Sequence, residues 1–282
     1  MEYKKSNKKA NSRFTKLKGS NSVFGSLFNK LFPQPKTSQI ALFVILGVLI
    51  VIAIVIIFLL IRSPEVRILD EENPQAFVES CTREAVEKAI AILSRQGGDI
   101  KPKGAIMHDT EEISFLCFNY NFYEPCINQR PLLIEHIENE ITDYIKPIVS
   151  DCFFNLESSL RKRYDIETSQ MDLKTILKPK TVTVEINKFL KLTRKEEVRD
   201  FESFKMVMAH PIYNLAEIAI TITNQESRYC NFDELGYMVF YPEYDIKKFE
   251  RGDSNIIYKI TERATEQNFN FAIRSCPLPP GY

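Results

Sequence analysis

His136 and Glu140 stand four residues apart in a stretch with helical periodicity, a spacing that turns both to one face, where an imidazole and a carboxylate could share a metal ion. The same stretch carries Glu135, Glu138 and Asp143, so the simpler reading is a solvated acidic helix face. His210 precedes Pro211, which fits a bend in the chain. His108 leads into Asp109, Glu111 and Glu112, an acidic loop without the glycine and the regular Asp/Asn alternation of a calcium loop. No G-x-S-x-G elbow, H-E-x-x-H pair, P-loop or G-x-G-x-x-G run is present. A hydrolase would have to assemble an Asp or Glu with His136 or His210 from distant segments. The sequence therefore marks no catalytic residue, no cofactor and no metal site, and the chain does not read as an enzyme.

Cysteines carry the other possible chemistry. Cys81, Cys117, Cys126, Cys152, Cys230 and Cys276 all follow residue 61. With no Cys-x-x-Cys and no nearby histidine the set does not read as a zinc site, and an even number in an oxidising compartment suggests up to three disulfides. Six cysteines allow fifteen connectivities. Helical periodicity narrows them. Asn73-Pro74 reads as an N-cap and first helical residue, Phe77, Cys81, Ala85, Ala89, Ile92 and Leu93 mark one face, and Gly97-Gly98 stops the helix. A second helix opens near Pro131, lays Ile134, Ile137, Ile141, Ile145, Ile148 and Cys152 along its apolar stripe, and has Pro147 as a kink site. If these helices pack antiparallel, Cys81 meets Cys152. Cys117 and Cys126 flank a short loop with Asn119, Asn121 and Pro125 that can close locally, which leaves Cys230 for Cys276.

What must position these residues begins with a run of 22 residues, 40–61, without a charge or a hydrogen-bonding side chain. As a helix it would extend about 33 Å at 1.5 Å per residue, enough to cross a hydrocarbon core of about 30 Å. The chain has 37 Lys+Arg and 37 Asp+Glu, but nine of the bases and only Glu2 of the acids precede the run. Residues 1–39 thus carry +8, and the remaining 28 bases and 36 acids leave −8 after residue 61. Basic residues stay cytoplasmic, so the expectation is an N-in/C-out signal anchor in the cell membrane with residues 62–282 as an extracytoplasmic domain. The long n-region and Arg62-Ser63-Pro64-Glu65 after the run oppose cleavage as a signal peptide. A pilin-like subunit cut at Lys18-Gly19 is a weaker alternative, because those proteins are cut directly before the apolar helix.

Within the tail, Val23, Phe24, Leu27, Phe28, Leu31 and Phe32 lie on one helical face that Pro33 ends, a juxtamembrane helix suited to anionic lipid headgroups. The acidic outer part excludes nucleic acid as its partner.

Further along, 181–186 alternates polar and apolar residues, with Leu190 and Leu192 after Asn187-Lys188, and reads as a hairpin turned at that pair. Thr193-Arg194-Lys195-Glu196 reads as a capping box. It opens a long helix through Val198, Phe201, Met208, Ile212, Leu215, Ala219 and Ile222, bent at Pro211, although 218–223 could be a strand. Three strands, 244–249, 256–260 and 269–273, close the chain, with a turn at Gly252-Asp253. Phe115, Phe118, Tyr120, Phe122 and Tyr123 alternate like a hairpin with one buried face and read as core. Strands and helices fall in separate blocks, so the expected class is α+β: amphipathic helices and a small antiparallel sheet, stapled by disulfides.

Several features together resemble an uncharacterised family of archaeal single-pass membrane-anchored proteins: the basic tail, the single apolar helix, Ser94-Arg95-Gln96-Gly97-Gly98, Pro131 with Ile134-Glu135 and Tyr144-Ile145, and the terminal Asn268-Phe269-Asn270-Phe271-Ala272. The resemblance implies a prokaryotic envelope location and brings no known activity with it. The functional expectation is a membrane-anchored binding or envelope-structural protein with an envelope protein as partner. Its alternative is an outer sensor or solute-binding module acting through a membrane partner.

Overall fold

The computed structural model describes residues 38–61 and 73–279. The chain divides into two units, Met1–Val66 and Arg67–Tyr282. In the first, α1 (Ser38–Ile61) is a 24-residue helix. Its side chains are described over residues 44–55, about 18 Å of helix, and all of these are exposed. Among the described residues no helix is long and apolar enough to cross a membrane. The expected tail helix at Val23–Phe32 and the flank at Arg62-Ser63-Pro64-Glu65 lie outside the described residues.

The second unit is α+β, built on two sheets. α2 (Pro74–Leu93) starts where the sequence places it, with the Asn73 side chain accepting the Ala76 N–H and Pro74 in the first turn. Its buried stripe is Val78, Thr82, Ala85, Val86, Ala89, Ile90 and Leu93, rotated slightly from the one expected. After β1 (Ala105–His108), β2 (Glu111–Phe118) and β3 (Ile127–Asn128) comes α3 (Leu133–Leu160). Pro147 sits inside α3 on its exposed side, where the carbonyl it cannot satisfy faces water. Cys81 near the start of α2 is bonded to Cys152 toward the end of α3, and Gly98 just past α2 packs on Leu133 and Ile137 at the opening of α3. The two helices therefore run antiparallel. The other two bridges, Cys117–Cys126 and Cys230–Cys276, also pair as expected.

The four-stranded sheet corrects the sequence reading. β4 (Asp165–Thr168), β5 (Asp172–Lys178), β6 (Thr181–Arg194) and β7 (Glu197–Ala209) follow one another. Residues 181–194 form one continuous strand instead of a hairpin. Asn187-Lys188 begins a bulge where β6 leaves β5 on one edge and meets β4 farther along. The supposed capping box is the β6–β7 turn, with Lys195 at φ 56°, and the first half of the supposed long helix is β7. Phe204, Met206 and Met208 alternate into the core, a period of two that the neighbouring Val198 and Phe201 disguise. The helix begins only after Pro211, as α4 (Ile212–Tyr229), which also rules out a strand at 218–223.

Past α4 and the short α5 (Glu234–Phe240), the chain closes with β8 (Tyr244–Glu250), β9 (Ile256–Glu262) and β10 (Asn268–Arg274), as expected. They join β2 in a six-stranded sheet of order β1-β2-β10-β9-β8, with β3 beside β2. It is neither small nor wholly antiparallel, because β10 runs parallel to β2. One face of this sheet, with Tyr258, Ile260, Phe269, Phe271 and Ile273, shares the main core with α2, α3, α4 and the four-stranded sheet. The opposite face carries a separate small core of Ile113, Ile257 and Ala272, flanked by Ile106 and Phe115. The sheet's outer strands approach each other over that second face. Arg251 Nη1 donates to Met107 O at 2.7 Å, and the His108 and Phe249 rings lie 5.5 Å apart.

Candidate functional site

Gly97 and Gly98 do more than end α2. Gly97 has φ +75°, and a Cβ there would come within 3.0 Å of Ser114 O, so the turn presses directly on β2. This delivers Asp99, only 3% exposed, into a polar cluster. Ser114 Oγ donates to Asp99 Oδ2, Arg130 Nη2 lies 3.4 Å from the same oxygen, and His136 Nε2 is 2.6 Å from Oδ1. Burial alone would raise the Asp99 pKa, but hydrogen bonds from His136 and Ser114, with the Arg130 charge, outweigh it and hold the group below the usual carboxylate range. An ionised carboxylate only accepts, so His136 carries its proton on Nε2 and donates it. Glu140 Oε2 accepts the Ile100 N–H at 2.8 Å, and Glu138 Oε1 accepts the Leu177 N–H at 2.7 Å. Glu138 and Glu140 are thus engaged with neighbouring chain segments, while Glu135 and Asp143 stay exposed as the solvated acidic face expected there.

Two chemistries can be weighed for this cluster. In a hydrolytic triad the imidazole stands between carboxylate and hydroxyl, so that it can take the hydroxyl proton. Here the carboxylate stands in the middle, and Ser114, 1% exposed, gives its hydrogen bond to Asp99. Ser114 is therefore not activated as a nucleophile. Ligand atoms of Asp99, His136 and Glu140 lie within 4.8 Å of one another, a separation a metal could bridge. Each carboxylate already accepts from protein donors, however, and the Arg130 guanidinium brings positive charge against Asp99. The cluster holds its neighbours in place, and one of them, Arg130, reaches into a groove.

That groove, of about 700 Å³, lies on the second face of the six-stranded sheet. Its volume suits a small molecule. Alternation along the strands puts Ile106, Phe115 and Arg274 on this face, and Arg251 joins them from the turn after β8. Lys103, Arg130, Arg251 and Arg274 line it against a single carboxylate, Asp253. Backbone carbonyls aim two of the guanidiniums: Arg274 donates to Asn119 O and Asp253 O, and Arg251 to Met107 O. Phe115, Phe118 and Tyr120 form an edge-to-face series with centroids 4.9 and 4.6 Å apart. Tyr120 is 83% exposed, and Phe122 and Tyr123 are exposed beside it, which corrects their reading as core. No protein-family model, curated protein or solved structure matches this chain.

The remaining titratable candidates have structural partners. His108 faces Asp109 across the β1–β2 turn at 3.9 Å. Glu226, fully buried on α4, accepts from Tyr258 Oη, and burial raises its pKa above the usual value. A second depression, of about 730 Å³, runs between the opening of α3, β5 and α4; Glu138 and Thr142 on its wall are already bonded to β5.

His210 caps α4, its Nδ1 accepting the Ile212 N–H at 3.1 Å, and burial holds its pKa below the usual imidazole value. The unfolded chain then takes the proton more readily than the folded one, so stability is flat above about pH 6.5 and falls as pH drops below it. His210→Asn retains an acceptor that does not titrate. Between pH 7 and 5 the wild type should lose stability relative to this variant, because its unfolded chain gains a proton that the buried ring does not. Urea midpoints of the two across that range provide the measurement, and parallel curves would refute it.

Proposed function

We propose that this is a single-pass membrane protein, N-terminus cytoplasmic, whose Arg67–Tyr282 unit is an extracytoplasmic binding domain. The observation that carries this reading is the uncharged run 40–61, helical within α1, set between +8 and −8. An apolar helix whose described side chains are exposed all round its circumference calls for apolar surroundings. Three disulfides, all after that helix, suit an oxidising compartment. The groove and the exposed Leu235, Val239 and Phe240 of α5 favour binding over catalysis, the second as a surface for an envelope partner. A ligand-binding module that reports or delivers through a membrane partner is the form the groove favours, since residues 1–39 carry no signalling motif. The tail is suited to anionic headgroups.

Protease added to intact cells tests the topology on a chain tagged at both ends. The C-terminal tag should be lost and the N-terminal tag protected until the membrane is broken. Loss of the N-terminal tag from intact cells, or release of the chain by carbonate washing, would overturn the reading.

A further inference from the structure

The groove's charge is opposite to that of the chain around it. Residues after 61 sum to −8, yet this surface gathers four cations and one carboxylate. Among the described residues Lys103 and Arg274 meet no carboxylate, and the two partners of Arg274 are neutral carbonyl oxygens. Beside the cations stands an aromatic wall. Phe118 and Tyr120 belong to the segment that Cys117–Cys126 closes, and Tyr120 extends into solvent with its ring packed edge-on against Phe118. An exposed tyrosine on a covalently closed loop presents a ring face at low conformational cost.

We propose that this groove binds a small organic dianion that carries a ring, of the phosphomonoester type, with the charged group among Arg251, Arg274, Arg130 and Lys103 and the ring against Phe118 and Tyr120. Asp253 offsets Arg251 and Asp99 offsets Arg130, which leaves Lys103 and Arg274, two positive charges that match a dianion better than a monoanion, for which one bidentate arginine would serve. The proposal names the ligand class for the binding reading above and rests on that reading only in holding that the domain binds something; the topology can fail without touching it.

The test is calorimetric titration of the full chain in zwitterionic detergent with phenyl phosphate, benzoate, inorganic phosphate and phenol. Phenyl phosphate should bind at least tenfold more tightly than each of the other three. Lys103→Glu and Tyr120→Ala change two exposed side chains away from the core, so both should leave the melting temperature unchanged while weakening phenyl phosphate binding at least fivefold. Raising salt should weaken it further in the wild type than in Lys103→Glu. Benzoate or inorganic phosphate binding as tightly as phenyl phosphate, or two folded variants that bind it like the wild type, would overturn the proposal. Either result leaves the protease test of topology unaffected.

Discussion

Replacing Cys81 and Cys152 together by alanine is expected to lower the stability of the Arg67–Tyr282 unit by about 4 kcal/mol. The bridge closes 71 residues, whereas Cys117–Cys126 closes nine. Chain entropy freed in the unfolded state grows with the logarithm of that length, so the short bridge should be worth about 2.5 kcal/mol by the same estimate. A domain of ordinary stability has about 5–15 kcal/mol in all, and the long bridge is a large share of it. It also ties α2 to α3 at the end opposite Gly98, so its loss releases the helix pair that supports Asp99 and His136. Urea unfolding of both double-alanine variants, followed by circular dichroism, measures the difference. Equal losses, or a loss under about 1 kcal/mol for the long bridge, would show that the unfolded chain is not restrained as supposed.

Asp99→Asn should cost about 3 kcal/mol at neutral pH. The carboxylate is buried and serves Ser114, Arg130 and His136 at once; an amide cannot balance the guanidinium, and its NH2 would face the donors it replaces. The effect carries a signature in pH. The folded-state pKa of Asp99 is depressed below 3.8, so its contribution is fully present above the unfolded value and is lost as pH falls through the folded one. Wild type and variant should therefore differ most above about pH 5 and converge toward pH 2. Because His210 acts between pH 7 and 5, the two effects occupy separate windows. A difference that stays constant into acid would mean that Asp99 acts through packing and not through its charge.

Much of the scaffold is legible in the residues. Asn73-Pro74 and Gly97-Gly98 mark the ends of α2 by local chemistry, a side-chain cap and two residues free to adopt positive φ. The stripe Ile137, Ile141, Ile145 sets the core face of α3, and with both helices placed the Cys81–Cys152 pairing follows from antiparallel packing. The β6–β7 hairpin was hidden because its signals are weak. The β5–β6 turn puts Lys180, and the β6–β7 turn Lys195, at positive φ where glycine or asparagine would announce them. A ladder running from Thr181 with Ala209 to Arg194 with Glu197 then decides for strand in a stretch whose local pattern also suits a helix.

The sequence alone determined what depends on neighbours along the chain: the apolar run and the charges flanking it, the ends of α2 and the opening of α3, the last three strands and the cysteine pairs. It could not show the groove. Lys103, Tyr120, Arg130, Arg251 and Arg274 come from five separate segments and share no spacing; the four basic residues each resemble ordinary surface, and Tyr120 reads as core from its alternation with Phe118 and Phe122. They meet because β10 lies parallel to β2 and the sheet brings its outer strands together over a second face. That association is a long-range choice, made by burial of the opposite face on the helices, and no local periodicity encodes it.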